Sequence, residues 1–322
     1  MTIYPYGLCV AGAAAVSLLL AAFLMKKTTL RPGTLSWFAL LAVPLCFLGA
    51  RLGYCLCTLD WFLYVGLEFF FSFTEGGYIL YGALLGGVAA LGLTALITRQ
   101  SAGCLADALA APAAVMIALC RLAEPLANEG FGWGMAYWFR KGAGMSMFAL
   151  EDPSFFLRFP FGVQNAWGEW HWAVFLLEAV IALVICAVLL RMKPAADGGK
   201  AWLFLLMYAA MQALCESMRQ DSVLTWGFVR CSQVISAVAV GLVLAMCAIR
   251  LKRFLPLAWA GILACMGVVM AMEFALEKKI QFLFWMPMDL CYLVMAAACL
   301  GMIFIVKPLW RKAFAPALAQ AA

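Results

Sequence analysis

The chain has 322 residues, of which 67% are apolar and 12% charged, with a mean hydropathy of +1.00 and a formal net charge of +6. So much apolar surface excludes a soluble domain and identifies an integral membrane protein. The basic surplus is gathered beside the apolar runs, as membrane anchoring requires, and excludes a nucleic-acid footprint.

Runs of about 18 apolar residues can cross a hydrocarbon core of about 30 Å. Nine are expected, at 8–25, 36–57, 79–98, 104–127, 172–190, 201–215, 229–249, 256–275 and 284–306, the sixth being short and expected to start earlier. The fold class is therefore an all-α integral membrane protein, a polytopic bundle of about nine transmembrane helices. The first run ends in Lys26-Lys27 without a basic segment before it, so it reads as a true span and not as a cleaved signal. Thirteen basic residues fall on one side: Lys26, Lys27, Arg31, Arg99, Arg191, Lys193, Lys200, Arg250, Lys252, Arg253, Lys307, Arg311 and Lys312. Six fall on the other: Arg140, Lys141, Arg158, Arg219, Lys278 and Lys279. That asymmetry predicts an outer N-terminus and a cytoplasmic C-terminus. The thirteen cysteines are scattered through the apolar runs without zinc-like spacing, so buried inert thiols are expected and no metal or cofactor.

In chain order, Arg51 is the first ion inside a span; the others are Asp107, Arg121, Glu124, Glu178, Glu216, Arg230, Glu273 and Asp289. A charge there is expensive, about 2.5–3.5 kcal/mol on insertion scales, which makes each a functional candidate. "DWFLYVGLEFFFSF" (60–73) suits an interfacial or re-entrant element. In "EGGYILYGALLGG" (75–87), Gly76 and Gly77 allow a break before the third span and turn Tyr81 inward. Gly82-x-x-x-Gly86 permits close approach of a helix or of a lipid glycerol.

"CRLAEPLANEGFGW" (120–133) places Arg121 and Glu124 three apart on one helical face, before Pro125, Asn128, Glu129, Gly130 and Gly132. It is either a salt-bridged helix end or a lined cavity in which Arg121 holds an anion. The loop 128–171 is long and too aromatic for disorder, with Trp133, Tyr137, Trp138, Phe155, Phe156, Phe161, Trp167 and Trp170. His171, where it rejoins the membrane, is an anchor or a general base. Further on, Gln212, Glu216 and Arg219 form one helical stripe, followed by Asp221, Trp226, Arg230, Gln233 and Ser236. Guanidinium clusters make paired, charge-assisted bonds to phosphate, and the nearest phosphate in a membrane belongs to a phospholipid.

The order of these motifs resembles the prolipoprotein diacylglyceryl transferases. The likeness runs through "IYPYGL" with Tyr6-Gly7, "GARLGYCL" with Arg51, "EGGYILYGALLGG", "CRLAEPLANEGFG", "ALCESMRQDS" and "SQVIS", over residues 1 to about 250. Departures are Tyr81 at the family's histidine, Ala83 at its glycine, Glu124 at its asparagine, Pro125 at its phenylalanine and Gln212 at its arginine. "HWAVFLLE", ending in Glu178, keeps the family's His-Pro-x-Gln-x-x-Glu element only loosely.

The resemblance implies transfer of diacylglyceryl from phosphatidylglycerol to the lipobox cysteine of a preprolipoprotein signal peptide, in a bacterial plasma membrane. Arg121 would clamp phosphate, helped by Arg219 or Arg51, while Tyr81 or Tyr6, with Glu124 and Glu129, would handle the proton. Gly82, Gly132, Gln212 and Glu216 would support the pocket. A domain at 1–255, including a 128–171 head, would be followed by two additional spans and a basic tail at 256–322. The substitutions leave open a non-catalytic phospholipid-binding relative or a different acceptor.

Overall fold

In a computed structural model the described residues are 4–73, 76–135, 158, 160–192, 196–221, 225–226, 229–283 and 285–314. Glu75, Tyr137, Trp138, Arg140, Lys141, Phe155, Phe156 and Lys193 lie outside them.

The helices are α1 (Pro5–Met25), α2 (Thr34–Cys57), α3 (Leu59–Val65), α4 (Leu67–Phe71), α5 (Leu80–Thr98), α6 (Ala102–Ala123), α7 (Val174–Arg191), α8 (Gly199–Met218), α9 (Cys231–Leu251), α10 (Pro256–Leu276) and α11 (Met288–Ala313). Among the described residues, nine are long and apolar enough to cross a membrane, all but α3 and α4. Among the described residues there are also two short hairpins, β1 (Gly162–Gln164) with β2 (Trp170–Trp172) and β3 (Thr225–Trp226) with β4 (Val229–Arg230), both antiparallel. α8 is longer than the apolar run 201–215 at both ends. It starts after the left-handed Gly198 and ends where Arg219 turns extended, so the polar stripe of Glu216 lies inside the helix.

By packing, the chain divides into two compact units, Leu18–Leu109 and the combination of Met1–Ser17 with Ala110–Ala322. α10 and α11 pack on α9 and α8 within the second unit.

In the Leu18–Leu109 unit α2 and α5 lie backbone to backbone. A Cβ on Gly82 would collide with the Gly49 carbonyl and one on Gly86 with that of Leu45, while one on Gly53 would stand 3.2 Å from Gly82 Cα. The close approach that these glycines permit is thus made by a helix, as small-residue membrane interfaces do. Residues 60–73 form α3 and α4, which pack on α2. Gly76 and Gly77 both have positive φ, 80° and 76°, which breaks the chain before α5 as the paired glycines predict.

In the second unit α8 is the most buried span and contacts α7, α9 and α11. Its Leu203, Leu206, Ala210 and Ala213 are buried, as are Ala179, Ala182, Ile185 and Leu189 of α7, Val240 and Leu244 of α9, and Met295 and Cys299 of α11. Up-and-down connections bring together the end of α6, the start of α7, the end of α8 and the start of α9. The buried charged groups of this unit, Arg121, Glu124, Glu178, Arg219 and Glu273, sit at that end. Asp289 differs from the others: it is exposed in the first turn of α11, where a carboxylate complements the positive end of the helix.

Candidate active site

α6 delivers Arg121 in its last turn, and a single 3-10 turn, Glu124–Ala127, follows directly. Pro125 makes that tighter turn natural, having no N–H to donate to a continuing α-helix. The turn closes through left-handed Asn128 (φ 58°) and Gly130 (φ 82°). A side chain on Gly130 would meet Glu124 Oε2 at 2.5 Å and Phe175 Cβ at 2.9 Å. Residues 130–134 then run between two other segments: Gly132 N–H donates to Trp172 O (2.8 Å) and Trp133 N–H to Met218 O (3.2 Å), while Gln220 N–H donates to Phe131 O (3.0 Å). Gly132 must be glycine, since a Cβ there would lie 2.6 Å from Val174 and 3.0 Å from Trp172.

Five charged groups meet beside this strap. Glu124 Oε1 accepts from Arg121 Nη1 at 2.5 Å, and its Oε2 accepts from Arg219 Nη1 at 3.0 Å. Glu178, from the first turns of α7 and only 2% exposed, bridges the same pair: its Oε2 is 3.1 Å from Arg121 Nε and 3.0 Å from Arg219 Nη1. Arg219 completes a fork to Asp221, with bonds of 2.9 and 2.7 Å, and Gly130 N–H adds 2.8 Å to Asp221 Oδ2. Gln212 Nε2 donates to Glu178 Oε1 (3.1 Å) and to Glu216 (3.4 Å), joining the stripe of α8 to the cluster. Arg230 donates to the Glu216 carbonyl and, at 2.8 Å, to that of Arg219, holding the end of α8.

The two arginines are not equivalent. Arg219 donates to carboxylates from all three nitrogens, whereas Arg121 does so from Nε and Nη1. Tyr208, one turn before Gln212, stands beside the Arg121 guanidinium. Half-buried Tyr6, in the first turn of α1, lies within electrostatic range of Glu124, Cys120, Glu129 and Arg121.

Outside the spans the field has clear signs. Burial would lower Arg219, but the Glu178 and Glu124 carboxylates outweigh it and hold the guanidinium above its ordinary range. Burial would raise Asp221; the Arg219 fork and the Gly130 N–H prevail and hold it below its ordinary value. Partial burial, and then the Asp221 charge, push Glu129 up against the pull of Arg219.

Of the residues singled out in the sequence, Arg121, Glu124, Gln212, Glu216, Arg219, Gly132 and Tyr6 gather here, with Glu129 at the rim. Arg51, expected as a phosphate ligand, has another task. Its Nε donates to Phe70 O (3.0 Å), Nη1 to Gly76 O and Gly77 O, and Nη2 to Phe69 O and Ser72 O. All five guanidinium donors are thereby used on backbone carbonyls, and none is left for an anion. Gly82 belongs to the α2–α5 contact and half-buried Tyr81 to the start of α5, both in the Leu18–Leu109 unit. His171 is buried in the loop platform. Its Nδ1 lies 2.9 Å from Gly132 O and its Nε2 3.1 Å from Asn165 Nδ2, so both ring nitrogens are occupied. Sequence reading placed Glu178 outside the site residues and passed over Tyr208; the spacing 208, 212, 216 on one helix face is the signal that finds Tyr208.

A family model described as prolipoprotein diacylglyceryl transferase matches residues 1–250. Curated relatives named phosphatidylglycerol–prolipoprotein diacylglyceryl transferase include one from Symbiobacterium thermophilum, 29% identical over 267 residues covering 79% of this chain and 90% of that protein. One from Enterococcus faecalis is 27% identical over 243 residues, covering 73% and 82%. One from Streptococcus pneumoniae is 29% identical over 246 residues, covering 74% and 86%. With the match spanning most of a chain that crosses the membrane many times, the protein belongs to the prolipoprotein diacylglyceryl transferase family.

Proposed function

We propose that the chain transfers diacylglyceryl from phosphatidylglycerol to the cysteine thiol of a prolipoprotein signal peptide, in a bacterial plasma membrane, with the Arg121 end of the bundle on the outer side. The observation that carries this reading is the buried Arg121–Arg219 pair bridged by Glu124 and Glu178, a site for an anion at the end of the spans. The sulfur forms a bond to the glyceryl carbon that carries the phosphate ester. The carbon–oxygen bond breaks, and its electron pair leaves with glycerol phosphate. The thiol proton goes to a carboxylate, Glu124 or Glu129, with Tyr6 positioning it. Arg121 is the better clamp, because Arg219 is already committed from every nitrogen; Arg219 positions Glu124 and Asp221. Preorganised donors of this kind meet the charge that develops on a leaving phosphate.

One observation favours a second reading. Glu124, Glu178 and Asp221 already offset the two guanidiniums. Since Glu124 stands at the family's asparagine, an incoming phosphate must displace a carboxylate. That would suit a phospholipid-binding protein that does not catalyse transfer, or one with another acceptor.

The test is release of glycerol phosphate from phosphatidylglycerol labelled in its head group, by purified protein in vesicles with a lipobox peptide. Peptide-dependent release that Arg121→Lys reduces about 100-fold or more is the expected result, on the scale of losing one preorganised donor. Saturable lipid binding without release would overturn the transferase reading and establish the second.

A further inference from the structure

The second unit contains a cavity unrelated to the arginine cluster. It lies between α8, α9, α10 and α11, open on one side, and is lined by Ala209, Ala213, Val234 and Ala237 together with Met266, Val269, Met270 and Met302, with the Ser236 side chain also on its wall. Its volume is about 200 Å³, above the roughly 150 Å³ at which an apolar protein cavity stays dry and takes up benzene. Four of those eight apolar residues come from α10 and α11, the helices beyond the family match at residue 250. The flank of the cavity carries Val234 and Met270, 47% and 50% exposed, on helices that face hydrocarbon when they span a membrane.

One end of the cavity is polar. Glu273, in the last turn of α10 and 9% exposed, accepts from Gln233 Nε2, in the first turn of α9. Gln233 Nε2 gives its other proton to Ala213 O at 3.2 Å. Gln233 and Glu273 both line the cavity, and with both amide protons used, what the pair has left to offer a ligand is acceptor oxygens, the Gln233 carbonyl oxygen and the second oxygen of the carboxylate. The apolar end lies deeper. Glu273 and Met266 are seven residues apart on α10, about 10 Å at 1.5 Å per residue. Polar at the helix ends and apolar toward the middle of the spans is also the order of a lipid in a bilayer leaflet.

We propose that this cavity binds a neutral glyceride, with an alkyl chain along Met266 and Met302 and the two adjacent glycerol hydroxyls donating to Glu273 and Gln233. A phosphate or carboxylate head would bring a second negative charge against Glu273. An alkylamine carries three donors on one atom, whereas the site presents two separate acceptors. A buried carboxylate left without a donor costs more than the bond itself returns, so the head group decides the ligand. The proposal stands apart from the transfer reaction and needs no turnover to be tested.

The experiment uses the full-length protein in phosphatidylcholine nanodiscs and a monoacylglycerol with a photoactivatable group in its chain, with labelled residues located by mass spectrometry. Saturable labelling on α10 or α11 near Met266 or Met302 is expected, weakened at least tenfold by Val234→Trp at the exposed mouth and by Glu273→Leu at the polar end. A matched fatty acid and a matched alkylamine should compete at least tenfold less well than unlabelled monoacylglycerol. Labelling that does not saturate, or that Val234→Trp leaves unchanged, overturns the site. Equal competition by the fatty acid or the amine overturns the recognition of hydroxyls.

Discussion

Arg51 and Arg121 are both buried guanidiniums in membrane spans, and they are satisfied in opposite ways. Arg51 gives all five donors to main-chain carbonyls around the break before α5, with the Tyr54, Phe69 and Tyr78 rings within 6 Å of its centre. Main-chain carbonyls are fixed and neutral, so this arginine is a permanent tie between α2 and the segment 69–77. Arg121 is met by the Glu124 and Glu178 carboxylates, charged side chains that Arg219 also holds. An anion can take a carboxylate's place there without stranding any part of the main chain. A buried arginine is thus a ligand site only where its partners are exchangeable.

The sharpest way to break the comparison is Arg51→Ala. It strands five carbonyls at about 1–3 kcal/mol each if they stay buried, so folded protein should not be recoverable from membranes. Arg51→Lys, with three donors, should rescue little of it, as size-exclusion profiles and thermal unfolding in detergent would show. A folded Arg51→Ala protein would end its role as a tie. Next in size is Gly86→Leu, which drives a side chain into the α2 backbone and should lower stability by about 3 kcal/mol, the upper end for overpacking. Gly92→Ala, where no neighbour lies within 4 Å, is its neutral control.

Arg121→Lys, by contrast, should leave the melting temperature nearly unchanged while turnover falls about 100-fold. Equal losses in both would make Arg121 a second Arg51. Smaller effects come from pH. Asp221 is held below its ordinary 3.8, so its contribution is present above that value and is lost as pH falls through the depressed one. Asp221→Asn should therefore flatten unfolding in acid. Glu129 is held above its ordinary 4.5, so as a base it becomes available only as pH rises through the raised value. Glu129→Gln should remove an acid limb of kcat lying above 4.5, and an unchanged pH profile would exclude it from the proton path.

The spans were legible because hydropathy reports what lipid demands along each helix. The break at Gly76-Gly77 was legible because positive φ favours glycine. The Arg121–Glu124 pair followed from helical spacing. What could not be read was which partners a buried charge would find. The acceptors of Arg51 are main-chain oxygens, which every sequence contains, so nothing in the side chains marks them. The place of Glu178 between two arginines depends on how α6, α7 and α8 pack, and Gly82 serves a helix contact for the same reason. Asp289 shows the converse: an acid that looked internal needs only the end of its own helix.

The bridging carboxylate of Glu178 also bears on how the chain is made. Alone in lipid, its helix would carry a charge costing about 2.5–3.5 kcal/mol to insert. α6 precedes it from the ribosome with Arg121 already in place, and Arg219 arrives one span later to close the cluster. The order of synthesis thus offers the Glu178 carboxylate a counterion, Arg121, from the helix that precedes it. A nascent chain ended after α7 should remain inserted with Arg121 and slip from the membrane with Arg121→Ala, which glycosylation mapping of its loops would detect.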